Sequence, residues 1–383
     1  MPDDRTTVTE LATALGTLGD PGPTEALGRR PPELRIDGAT WDRLATLHRD
    51  GRFAAEFATA FANGRALLEA EDALAGRHPR IVEWTGGRRP PGDEVAPIDV
   101  RIDHVYLVSC KYRSDILANA SPGRLFDGLL ATTGDWDRGD WFATVAPAQH
   151  HALYRACRTA AGLFDLPPSP ERCDREQRHR LRVALADRAY PDEASRAAYT
   201  DLCRAVSAAS AERWRQGLRR SGTGPEAMVW RLLRIGNAPY FVLGVDRRTG
   251  SPARFRIAGP WDWRDEFELV DLQVKAGSAA QPRVDWTIRY RRRRRPAPAG
   301  AGTVRGHVEI RWSHGRFAHP PEAKVYLDTP MAELPGYHPL GGCRSDEGNP
   351  VPADPEGGDL DGRDPEGGDL DGRDPEGGQA ALW

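Results

Sequence analysis

Between Trp41 and about Ala75, apolar residues recur every three to four positions, the period of an α-helix packed on one side. The run FAAEFATAFANGRALLEAEDALA sets Phe53, Phe57, Phe61, Gly64, Leu67, Leu68 and Leu74 on a single face, with Gly64 a point where it can break in two. Glu71 falls in the middle of that apolar face, whereas Glu69 points away. A carboxylate on a buried face is costly unless it is paired or bound to a cation, so Glu71 is a candidate ligand. A helix that ends early would leave it in water instead. The period then changes to two. RIVEW (80–84), IDVRI (98–102) and VYLVSCKY (105–112) are rich in β-branched and aromatic residues and read as strands. The turn-rich TGGRRPPGDE separates the first two.

SPGRLFDGLL (121–130) reads as a helix start, and 148–220 as helical with breaks at LPPSP (166–170) and YPDE (190–193). From about residue 226 short strands dominate: YFVLGV, ARFRIA, FELVDLQVKA, VDWTIRYR, VRGHVEIRW and AKVYLDT. Residues 1–35 are rich in Pro, Gly and Thr, with one short helix at 6–17. At the other end DPEGGDLDGR occurs at 354–363 and 364–373 and then starts again. Such a repeat buries too little to fold alone, and its DLDG is an incomplete calcium loop. The organisation expected is a flexible segment at 1–40, a mixed domain at 41–145, helices at 146–225, a β-rich domain at 226–340 and a disordered acidic tail at 341–383.

Length and composition add bounds. The chain has 383 residues, enough for two domains and a sizeable core. Its bias toward Ala, Arg, Gly and Pro is that of a GC-rich, bacterial coding sequence. Net charge is −3, but the acidic tail hides a more basic body. Five scattered cysteines (Cys110, Cys157, Cys173, Cys203, Cys343) show no CxxC and no Cys/His pair at zinc spacing, which points to a reducing compartment without a structural metal. No apolar run approaches the roughly 20 residues of a membrane span. MPDDRTTVTE lacks the charged-then-apolar pattern of a signal peptide, so a soluble, cytoplasmic protein is expected.

Of 53 basic residues only Lys111, Lys275 and Lys324 are lysines. Lysine is a compact point charge that can sit beside a metal or a phosphate oxygen, a role the planar guanidinium does not fill. Lys111 ends the strand-like run PIDVRIDHVYLVSCKY (97–112). If that run is a hairpin turning at Asp103-His104, Asp99 lies opposite Val108, next to Ser109, or faces Ser109 directly after a half-residue shift. Ser109 and Lys111 share a face. Asp99, Lys111 and Glu71 would then form a carboxylate–carboxylate–ammonium group. Two carboxylates can hold Mg²⁺, which keeps several of its waters and lowers the pKa of one. An ammonium beside them can stabilise charge developing on a phosphate.

Asp99, nine residues, then Ser109-Cys110-Lys111 resembles the PD-(D/E)XK motif of restriction-endonuclease-like nucleases. Pro97 stands two residues before Asp99 rather than next to it, and Ser109 stands where that family usually has an acid. The order of elements from Glu71 to the helix at 122–130 is similar to the family's αβββα core. The resemblance covers 50–135. It implies a metal-dependent endonuclease that hydrolyses DNA phosphodiester bonds with Mg²⁺ or Mn²⁺, in restriction or defence against foreign DNA. Asp99 and Glu71 would hold the metal, with the Cys110 carbonyl a third ligand and Asp103 or Glu83 a substitute for the missing acid. Lys111 would steady the attacking water, and Ser109 would hydrogen-bond a metal-bound water. The alternative is a degenerate nuclease fold that binds nucleic acid without cutting. DNA is the expected partner, and a homodimer is left open.

Two other lysines bear the same test. Lys324 lies in EAK, whose acid-x-Lys form is the better match, with Glu309 or Asp285 as the partner acid. Lys275 has Asp271 and Gln273 nearby. The densest basic run is RYRRRRR: Arg289 and Arg291 to Arg295 would form an exposed loop able to neutralise several phosphates. In GHVEIRWSHGRF, Arg311, Trp312, His314 and Arg316 could read or stack on bases. Equally, Trp312 could be core and His314 a turn residue.

Overall fold

The computed structural model describes residues 3–86, 98–112, 116–129, 139–186, 190–220, 224–277, 280–293 and 301–341. It is mixed α+β, with eleven α-helices and with strands in two sheets among those residues. The chain divides into two compact units, Met1–Tyr106 with Leu340–Trp383, and Leu107–Pro339.

The first unit holds α1 (Asp4–Gly16), α2 (Pro23–Arg29), β1 (Leu34–Arg35), α3 (Gly38–Arg49), α4 (Ala54–Glu69), β2 (Val82–Trp84) and β3 (Val100–Ile102). The short helix expected at 6–17 is present as α1, and it is buried from Thr7 to Gly16 rather than carried in a flexible segment. Its start is set by Asp3, which accepts a hydrogen bond from the Thr6 amide at 2.7 Å. Its packing is set by glycine. A Cβ at Gly64 would come within 2.0 Å of the Thr13 carbonyl oxygen, and one at Gly16 within 2.1 Å of that of Phe61. Gly64 therefore does not break the helix as expected. It lets α4 press against α1, and the break falls at 50–53 instead. Phe57, Phe61, Leu67 and Leu68 are buried as their spacing predicts. The helix ends at Glu69, however, and Ala70 is already extended (φ −65°, ψ 130°). Glu71 consequently sits in a turn, exposed.

β1 runs parallel to β2, and β2 antiparallel to β3. Asp103 (φ 48°) and His104 (φ 61°) are both left-handed, and the Val105 amide donates to the Ile102 carbonyl at 3.0 Å. This is the two-residue type I′ turn that suits a tight hairpin.

The second unit holds β4 (Tyr106–Tyr112, its first residue in the first unit), β5 (Ile116–Ala120), α5 (Pro122–Phe126), α6 (Trp141–Val145) and α7 (Pro147–Ala160). It continues with α8 (Arg175–Ala184), α9 (Glu193–Arg220), α10 (Gly224–Leu232), β6 (Tyr240–Val245), β7 (Pro252–Ile257) and α11 (Pro260–Glu266). β8 (Phe267–Ala276), β9 (Arg283–Arg292), β10 (Gly302–Arg311), β11 (Glu322–Leu327) and β12 (Tyr337–Pro339) complete it. The helical breaks fall where the Pro-rich stretches put them.

The late strands do not form a sheet of their own. β6 pairs in parallel with β4, and β7 and β12 extend that segment antiparallel. A parallel pair needs a long crossover, which α5 to α10 provide. β8 to β11 join β5 in a five-stranded antiparallel sheet, order β5-β11-β10-β9-β8. One face of it, with Val284, Trp286, Ile288, Val308, Ile310 and Val325, is buried, and α9 packs against β8 and β9. The simple αβββα order is thus interrupted: β5 stands between β4 and α5 and belongs to the other sheet.

Candidate functional site

In the first unit the acids expected to bind metal separate into different roles. Asp103 Oδ1 accepts from the amides of Arg80 and Ile81 at 2.8 and 2.9 Å, so that oxygen ties the turn to the strand before it. Glu83 lies 3.0 Å from His104 Nδ1. Glu71 is on the wrong side of the helix end. Asp99 stays at the start of β3, half-buried, where its carbonyl accepts from the Thr85 amide at 3.0 Å. Pro97 lies outside the described residues.

A carboxylate that the sequence pattern did not single out is buried instead. Glu10 on α1 is 7% exposed, and its Oε2 accepts from the Trp84 indole N–H at 2.5 Å. Trp84 pairs with Val100, and the next residue, Thr85, bonds Asp99. Glu10 and Asp99 are therefore linked to the same end of β2. A buried carboxylate is rare unless a partner or a cation compensates it. No apolar stripe flagged Glu10, because α1 is buried on nearly every side and its threonines mask the pattern.

In the second unit Ser109 and Lys111 do share a face of β4, opposite Val242 and Gly244 of β6. Ser109 is fully buried, while Cys110 and Lys111 are half-buried. Gly244 is required there: a Cβ would stand 1.7 Å from the Lys111 carbonyl oxygen. β6 thus lies flush against the backbone that carries the lysine.

RYRRRRR is exposed at Arg289 and Arg291 to Arg293 as expected, but its first four residues are strand rather than loop. Arg289 to Arg292 are the last four residues of β9, and Arg294 and Arg295 lie outside the described residues. Arg289 pairs with Asp271 at 3.2 Å, and Arg291 meets both oxygens of Glu268 at 3.0 and 3.2 Å. Both acids come from the neighbouring strand β8, directly opposite in register. Arg292 lies over the Phe267 ring at 5.6 Å, and Arg293 Nε donates to the Phe267 carbonyl at 3.2 Å.

The base-reading set is largely structural too. Trp312 packs against Phe142 and Phe317, with ring centroids 4.7 and 4.9 Å apart. Arg316 donates to the Leu185 carbonyl at 3.1 Å and stacks over Tyr190 at 4.1 Å. Arg311 approaches Glu309 at 4.0 Å. His314 alone projects well into solvent, 67% exposed.

The rival lysines lie on the polar face of the five-stranded sheet. Lys324 stands between Glu309 of β10 and Asn119 of β5, and Lys275 stands opposite Asp285. On the same face His307 is held by Asp328 at 2.9 Å and stacked on Tyr326 at 4.9 Å. The hydrogen bond to His307 is the main cause that holds the Glu309 carboxyl below its usual range. Both lysines thus face an acid on the neighbouring strand, Glu309 for Lys324 and Asp285 for Lys275.

The four described cysteines are free thiols. Among the described residues no helix is long and apolar enough to cross a membrane. No protein-family model, no curated protein and no solved structure matches the chain.

Proposed function

We propose that the chain is a metal-dependent nuclease that hydrolyses DNA phosphodiester bonds, with Asp99 and Glu10 of the first unit as its carboxylates; the motif resemblance alone adds Lys111 as the ammonium. The observation that carries the reading is the buried Glu10, bonded to Trp84 at the strand end where Asp99 is held. It supplies a helix acid in place of Glu71. Hard carboxylate oxygens, few in number, suit Mg²⁺, which binds through one or two of them and keeps its waters. Asp99 and Glu10 would hold the ion, which when bound lowers the pKa of a water and neutralises charge on the scissile phosphate. Glu10 stays aligned through the Trp84 indole. By the motif resemblance Lys111 would supply an ammonium for phosphate oxygens, and Ser109, on the same face of β4, is buried rather than meeting solvent. Restriction of foreign DNA is the role the motif resemblance suggests.

Plasmid DNA with Mg²⁺ or Mn²⁺ tests the reading. Wild type cuts; Lys111→Ala and Glu10→Gln do not; Glu71→Gln cuts normally. Glutamine can still accept the Trp84 hydrogen bond, so Glu10→Gln keeps the fold and removes only the charge. Cutting that survives in Glu10→Gln overturns the assignment. A second reading, binding without cleavage, is favoured by Ser109, which provides no acid and is fully buried. Metal-independent DNA binding by a wild type that never cuts would establish it.

A further inference from the structure

The loop joining β10 to β11 is fixed far more firmly than a surface connection requires. Phe317, at φ 61°, is 2% exposed and packs among Trp312, His150 and Tyr154. Arg178 donates to the Phe317 carbonyl at 2.9 Å, and Arg316 reaches back to Leu185. Gly315, at φ 94°, leaves room for Arg182, whose Cγ would lie 2.6 Å from a Cβ there. This rigid base presents two imidazoles to solvent, His314 and His319, with ring centroids 5.9 Å apart. At the start of β11 stands Glu322. Its Oε2 accepts from the Ser313 hydroxyl and from Asn119 Nδ2, leaving Oε1 facing His314 Nε2 at 3.6 Å.

We infer that His314, His319 and Glu322 form a binding site for a zinc-type divalent ion, completed by water. Two donors on one tetrahedral zinc, each about 2.0–2.1 Å from it, stand about 3.3 Å apart, and two imidazoles on it have centroids about 5–6 Å apart. The His314–Glu322 and His314–His319 spacings are close to both values. Among the described residues no three such side chains already surround one point. The site therefore closes by rotation of the exposed rings onto a fixed carboxylate. Two imidazoles select a borderline-soft ion such as Zn²⁺ over Mg²⁺. Ser313 and Asn119 already orient Glu322 from behind, as outer partners of a metal ligand do. Lys324, two residues on along the same face of β11, is the neighbouring cation. Three protein ligands leave the fourth position to water. The site uses none of the residues assigned to Mg²⁺ and stands or falls independently of the nuclease reading.

Calorimetric titration of Zn²⁺ into the full chain, with excess Mg²⁺ present to occupy carboxylate-only sites, tests this. Wild type is expected to take up one Zn²⁺ that the double variant H314A/H319A binds at least about 100-fold more weakly, since two of three ligands are gone. Asn119→Ala, which loosens only Glu322, should cost about 10–100-fold. Both histidines are exposed, so the double variant should keep the wild-type melting temperature without metal. Co²⁺ bound to wild type should give tetrahedral visible bands that the double variant lacks. Zinc bound equally well by the double variant, or no zinc uptake by wild type, overturns the site.

Discussion

Gly244→Ala tests how the fold holds the candidate lysine. The new Cβ would lie 1.7 Å from the Lys111 carbonyl oxygen, 2.4 Å from its carbonyl carbon and 3.0 Å from its Cα. All three are backbone atoms, so no side chain can swing aside. Ordinary contact begins at about 3.5 Å, so β4 and β6 must part locally by roughly 1.5–2 Å. One or two ladder hydrogen bonds are lost, at about 1 kcal/mol each, and overpacking adds about 1–3 kcal/mol. The entropy that alanine removes from the unfolded chain returns about 0.5–1 kcal/mol. The net is a loss of about 2–4 kcal/mol, a large part of the roughly 5–15 kcal/mol of a typical domain. Urea unfolding followed by far-UV circular dichroism measures it. Gly28→Ala is the control: it lies in α2 with nothing within 4 Å of a Cβ. It should be neutral or stabilising by up to about 1 kcal/mol. A Gly244→Ala protein within about 0.5 kcal/mol of wild type, inside the scatter of surface substitutions, would refute the close β4–β6 approach.

Gly64→Ala should destabilise the first unit despite alanine's higher helix propensity, by about 1–3 kcal/mol of overpacking against the Thr13 carbonyl, read as an earlier urea midpoint. Burial of His150 among Phe142, Trp312 and Phe317 holds its imidazole below its ordinary value, against the pull of Asp140 and Glu171 and with that of His151 and Arg178. The unfolded chain then binds the extra proton first, so stability is full above about pH 6.5 and falls as pH drops below it; His150→Phe should flatten that slope between about pH 7 and 5. Arg291→Ala should leave the urea midpoint nearly unchanged, because its pair with Glu268 is exposed. Glu268→Gln with Asp271→Asn should instead strengthen non-specific DNA binding and steepen its dependence on log salt by up to about 2, as two guanidiniums become available to phosphates.

Local patterns are legible where one neighbour decides the outcome. The Asp103-His104 turn, the start of α9 at the YPDE break and the buried stripe of α4 all follow from adjacent residues. Pairing between distant strands is not legible in this way. β4 meets β6 only after a crossover of helices, and β5 meets β11 across most of the chain, so a tidy late β-rich domain does not survive. Gly64 shows the limit within one helix. A glycine that relieves contact with a second helix and a glycine that ends its own helix are the same letter in the sequence.

The candidate site residues that the sequence misplaces or passes over share a cause. Extending a helical wheel two residues past the real end of α4 misplaces Glu71, and a helix buried on nearly all sides gives Glu10 no polar face to contrast with. The arginine run reads as free charge because its partners, Glu268 and Asp271, sit about 20 residues earlier on a strand whose register no local pattern fixes. The His314–His319 pair carries a readable signal, since four intervening residues fall within the spacing of about three to five common in zinc sites, but a search for cysteine–histidine pairs passes over it. In each case the charge is visible and its counter-charge is not. Fold-level pairing, rather than residue type, separates a group available for chemistry from one already committed to holding a strand.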